Sequence, residues 1–195
     1  MIPWFRTRRL AIAAAILLAL STASRLRAQG REDVLSAKEV DALRDAAYIP
    51  MDRVLAFEKI LNSREHDIEQ LLARPHRPGF GQDMHDLLDQ FGAIADEFND
   101  NLDDYSHKHR DIRKVLPKLI QFTERWSTTL RAPTDDEAYN IVRRIALDAV
   151  KDMREIATTM QTEQAEYFKA HPDAARMEKQ RADESHAPVP DETPR

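Results

Sequence analysis

Through residues 91–130, side chains recur in alternating steps of four and three: Phe91, Ala95, Phe98, Leu102, Tyr105, His109, Ile112, Leu116, Leu119, Thr123, Trp126 and Leu130. Most are apolar. Residues three and four apart share one face of a helix, so this heptad-like stripe predicts an amphipathic, coiled-coil-like rod with other helices lying on it. Pro117 interrupts the stretch, and a proline inside a helix removes a hydrogen bond and kinks it. Two readings follow. In one, a single kinked helix runs from near Gln82 to about Arg131. In the other, the polar run Asp103-Asp104-Tyr105-Ser106-His107-Lys108-His109 is a turn between two helices. The absence of Gly and Pro from that run, and the unbroken phase of the stripe, favour the continuous helix.

The flanking segments read the same way. Ser36 and Glu39 form a capping box for a helix that continues to Leu72, with a break at Tyr48-Ile49 and Pro50 opening its second half. Residues 74–81 hold two prolines and two glycines and form a loop. A second turn falls at Ala132-Pro133-Thr134-Asp135, and Thr134 or Asp135 caps a third helix. Its apolar face reads Ala138, Val142, Ile145, Ala149, Met153, Ile156, Met160 and Tyr167. His171-Pro172 ends or interrupts that helix. With only four glycines in 195 residues, long helices are favoured over a β fold. The expected fold is all-α: an antiparallel bundle of three long helices with the middle one kinked, or four if it splits.

The first 28 residues stand apart. Arg6, Arg8 and Arg9 precede an apolar run, LAIAAAILLAL, and small and polar residues follow it. That order is an export signal, and the run is shorter than the ~20 residues a bilayer span needs. The expected organisation is a signal at 1–28, a helical domain at 29–172 and a disordered polar tail at 173–195. The expected location is periplasmic or secreted, with no stable transmembrane span once the signal is gone. With no cysteine, disulfides, thiolate catalysis, iron–sulfur clusters and covalent haem attachment are all excluded. The formal charge is -5, and removal of five arginines with residues 1–28 leaves -10, which argues against nucleic acid as a partner.

Against that acidic background one segment is basic. His107, Lys108, Arg110, Arg113, Lys114 and Lys118 cluster in the middle of the rod, and on a continuous helix 107, 110, 114 and 118 share a face. Such a patch suits an acidic protein or another acidic envelope component, held more tightly in mild acid where imidazoles gain charge. The plainer account is neutralisation by nearby carboxylates.

Asp103, His107 and Asp111, spaced by four, supply a metal-binding alternative. A haem-binding alternative recruits Met51, Met84, His66 and His85. Core packing accounts for the methionines and aromatics more simply. Glu65, Gln164 and His109 fall at or near apolar stripes and would form a polar layer if buried together. No phosphate loop, nucleophile elbow or metalloprotease helix occurs. The reading is an exported, non-enzymatic interaction or scaffold module with no cofactor, and self-association stays open.

Overall fold

The computed structural model describes residues 34–74 and 77–185. The expected signal and the last ten residues of the expected tail lie outside the described residues. The chain divides into two compact units, residues 1–40 and 41–195. In the first, the expected capping box is present. The Ser36 backbone N–H donates to Glu39 Oε2 at 2.7 Å, and the Glu39 N–H donates to Ser36 Oγ at 3.3 Å.

The described residues form helices and turns, with no strand among them. In chain order the helices are α1 (Ala37–Asp45), α2 (Pro50–Leu72), α3 (Phe80–His107), α4 (Leu116–Arg131), α5 (Asn140–Ala170) and α6 (Pro172–Ser185). No helix among the described residues is long and apolar enough to cross a membrane. The break before Pro50 falls where the sequence places it. Ile49 is extended (φ -115°, ψ 107°), as the residue before a proline prefers, and Pro50 opens α2.

Helix α2 packs on α3 and α4, and α5 packs on the same two. Phe57 stacks on Phe98 with ring centroids 4.8 Å apart, and Arg53 Nε donates to Asn101 Oδ1 at 2.8 Å. Phe91 meets Trp126 edge to face at 6.0 Å. On the other side Arg154 pairs with Glu124 at 2.6 Å, and Asn99 Nδ2 donates to the Ala149 carbonyl at 3.0 Å. Helices α3 and α5 approach closely at Gly92. A Cβ built there would sit 3.5 Å from Ala146 Cα.

That close approach rotates the third helix from its expected setting. Ala138 and Ile145 are exposed, and Ile156 and Tyr167 are half-buried. Ala146, Val150, Ala157, Gln164 and Phe168 join Val142, Ala149, Met153 and Met160 in the buried set. Beside Gly92 there is room for an alanine, and Ile145 is left outside at 49% exposure. The helix also starts later than Thr134 or Asp135. Residues 137–139 turn first, with Tyr139 Oη donating to the Thr134 carbonyl at 2.7 Å.

The main correction is to the rod. It is not one kinked helix: α3 stops at His107 and α4 starts at Leu116. The stop is a Schellman motif. The Arg110 N–H reaches back to the Tyr105 carbonyl at 2.9 Å and the His109 N–H to Ser106 at 3.1 Å, with His109 left-handed at φ 50°. Glycine usually fills that position; histidine is among the few other residues that adopt it with some frequency. Pro117 then lies in the first turn of α4, where no intrahelical N–H is needed. Apart from the exposed His109, every stripe residue from Phe91 to Leu130 is buried. The stripe thus faces the core in both helices, although the chain between them turns.

Of the expected tail at 173–195, residues 173–185 are described, and they are helical: α6 spans Pro172–Ser185. Pro172 supplies a preset φ at the first position, and Asp173 lies in the first turn, where its charge suits the helix N-terminus.

Candidate functional site

The eight residues between α3 and α4 are held by one side chain from across the molecule. Gln164 on α5 is 3% exposed. Its Nε2 donates to the Arg110 carbonyl at 2.9 Å and its Oε1 accepts from the Ile112 N–H at 3.1 Å. Two backbone groups that a helix would otherwise pair are thereby satisfied. Ile112 is fully buried, and the charged residues on either side of it, Asp111 and Arg113, are half-buried. Arg113 lies over the Phe168 ring at 4.5 Å and grips Asp111 through Nε at 2.9 Å and Nη2 at 2.7 Å. Burial pushes the Asp111 carboxyl up, but these hydrogen bonds and the charges of Arg113 and Lys114 outweigh it and hold the group below the usual range.

His109 stacks on Tyr167 at 3.9 Å, and His171 stacks on the same ring at 4.4 Å. The three residues that suggested a polar layer therefore part company. Gln164 is buried as the brace, Glu65 is buried elsewhere with Arg125, and His109 is exposed.

Around this connection opens a cleft of about 310 Å³. Its basic side chains are Arg110, Arg113, Lys114, Lys179 and Arg181; its acidic ones are Asp111, Glu178 and Asp183. Ile49, Pro50, Met51 and Ala175 supply its apolar surface. Arg110 Nε donates to Glu178 Oε2 at 2.8 Å, and its Nη2 approaches the Tyr48 carbonyl at 3.4 Å.

Three of the six basic residues singled out from the sequence line this cleft: Arg110, Arg113 and Lys114. The other three do not. His107 Nδ1 donates to the Asp103 carbonyl at 2.7 Å, and Lys108, the residue after α3, pairs with Asp104 at 2.6 Å. Lys118, on α4, lies 3.8 Å from Glu58 and over the Phe122 ring. The face expected for 107, 110, 114 and 118 does not exist, because no helix runs through 108–115.

The same turn separates the three residues of the metal alternative. Asp103 and His107 belong to α3, whereas Asp111 lies beyond its end and is held by Arg113. Among the described residues, no three His, Asp or Glu side chains converge as a metal site. For the haem alternative, Met84 is fully buried in the core, whereas His66 is exposed and shares a hydrogen bond with Gln70 at 2.7 Å.

Sequence reasoning missed Glu178, Lys179, Arg181 and Asp183 because their segment was read as disordered. Pro172 and Asp173 at the head of an alanine-containing stretch were the available signal.

A second unusual carboxyl lies on α2. Glu58 is 2% exposed, its Oε1 accepts no hydrogen bond from the described residues, and Lys118 is the charge beside it. Burial pushes its pKa up to about 7, against a smaller opposing pull from Lys118. Comparison with protein-family models, curated proteins and solved structures finds no match to this chain.

Proposed function

We propose that the chain is an exported, non-enzymatic interaction module of the cell envelope, and that the cleft at the α3–α4 connection receives an acidic segment of another macromolecule. The supporting scaffold is a bundle of α2, α3, α5 and α4, in that order around a shared core. The contacts that favour it also give the helix directions. Arg53 meets Asn101 and Phe57 meets Phe98, so α2 and α3 run in opposite senses. Glu124 meets Arg154 and Ile112 meets Gln164, so the chain through α4 runs opposite to α5.

One observation carries the functional reading. Five basic and three acidic side chains surround the cleft in a chain whose formal charge is -5. Arginine grips a carboxylate with directed, charge-assisted hydrogen bonds, and a local excess of cations draws acidic ligands in. The export half of the reading rests on the basic, apolar, small-residue order of residues 1–28.

The test uses a labelled poly-glutamate peptide and the double variant Lys114→Glu, Lys179→Glu, whose side chains are exposed. Wild type should bind the peptide, less tightly as salt rises, and the variant should lose binding with its helical circular dichroism intact. Equal binding by the two proteins overturns the site. N-terminal sequencing from an envelope fraction tests export; an intact Met1 in a soluble cytoplasmic fraction overturns it.

A further inference from the structure

We infer that Glu178 of α6 is an internal occupant of the cleft: it holds the place of a partner's carboxylate on Arg110, and α6 must loosen enough to release Arg110, with Lys179 and Arg181 still at the cleft, for an acidic segment to bind there. This inference rests on the proposed acidic-segment site and adds its regulation.

Helix α6 is attached in an unusual way. Among the helices it packs chiefly on α5, which it leaves at His171. None of its described side chains is fully buried, and Met177 is 56% exposed. Little apolar surface therefore holds α6 down. Its most enclosed charge is Glu178, whose side chain is 12% exposed against 24% for Arg110. Both carboxylate oxygens are engaged: Oε2 by Arg110, and Oε1 by Arg181 of α6 itself at 2.5 Å.

The receiving side is fixed independently of α6. The Arg110 carbonyl is held by Gln164 and its N–H by Tyr105, so this part of the backbone keeps its place when Glu178 leaves. The connection supplies a joint. His171 takes φ -125° and ψ 68°, outside helical geometry, and Pro172 has no N–H to continue the α5 ladder. A segment with few apolar contacts beside a helix break belongs to the low-stability end of a protein, where local opening is accessible. A carboxylate from another chain offers Arg110 the same chemistry as Glu178 and competes for the same guanidinium.

The poly-glutamate peptide is titrated against the full chain, Glu178→Ala, Asp183→Ala, and Glu178→Ala with Arg110→Gln, with amide exchange of 172–185 followed in parallel. Asp183→Ala removes the same charge from the same cleft without touching the Arg110 contact. If α6 occupies the site nine-tenths of the time, Glu178→Ala binds roughly tenfold tighter. Asp183→Ala should gain much less, and Arg110→Gln should erase the gain. Peptide added to wild type should speed amide exchange in α6.

Equal gains from Glu178→Ala and Asp183→Ala would mean bulk charge, not occupancy, and overturn the inference while leaving the site intact. Binding to wild type with no change in α6 exchange overturns it too. Binding by none of the proteins removes the acidic-segment site and this inference with it.

Discussion

Glu58 and Glu65 lie seven residues apart on α2, on the same buried face toward α4, yet their surroundings differ. Glu65 is 5% exposed and fully engaged. Arg125 donates to both its oxygens, at 2.9 and 2.7 Å to Oε2 and 3.1 Å to Oε1, and Thr129 Oγ1 donates to Oε1 at 3.1 Å. Asn62 extends the network by accepting from Arg125 Nη2 at 2.5 Å and Trp126 Nε1 at 2.9 Å. Two turns earlier, Glu58 has one oxygen without a described hydrogen bond and a lysine at 3.8 Å. A buried carboxylate fully met by donors fixes the position of one helix on another. Burial of the half-met Glu58 raises its pKa. Both residues look alike in sequence; the difference comes from what α4 brings opposite each.

The largest effect expected at this interface comes from Trp126, which is fully buried and donates to Asn62. Trp126→Ala should cost about 3–5 kcal/mol in denaturant unfolding. A cost below ~1 kcal/mol would mean that packing around the Glu65 network is not tight.

Arg125→Ala isolates the polar part of that network. It leaves Glu65 with Thr129 as its remaining described donor and should cost about 2 kcal/mol. Lys118→Ala, which removes a longer and weaker contact to Glu58, should cost clearly less. Equal costs would erase the contrast between the two carboxyls.

The pH dependence tests the same contrast from the other side. Glu58 has an ordinary value of 4.5 and a folded value of about 7. Between these the folded state binds the extra proton, so this group's stabilising contribution is full below 4.5 and is lost as pH rises through 7. Glu58→Gln should therefore gain stability relative to wild type by about 1–3 kcal/mol across that window. A difference independent of pH would show that the Glu58 carboxyl titrates as it does in the unfolded chain.

Lys108→Ala sets the baseline. Its pair with Asp104 is exposed on both sides and spaced by four at the C-terminal end of α3, so the loss should stay below ~0.5 kcal/mol. A larger loss would assign that end of the basic segment a structural role that the geometry does not give it.

The helical class of the described chain, the capping box at Ser36 and Glu39, the break before Pro50, and the core-facing stripe from Phe91 to Leu130, His109 apart, are all legible in residue pattern alone. These depend on neighbours within one or two turns: side-chain period, a cap three residues away, a missing N–H.

Tertiary structure decided the rest. The stripe keeps its phase through 108–115, so periodicity could not reveal the turn. It is held by Gln164, which is 52 residues from Ile112 in the chain. Ile145 and Ala146 are equally apolar in a pattern, and the approach of Gly92 settles which goes inside. The cleft gathers residues from the α1–α2 junction, the α3–α4 connection and α6. Local propensity and periodicity do not encode such distant pairings; they are settled when the buried faces pack and each enclosed polar group finds its partner.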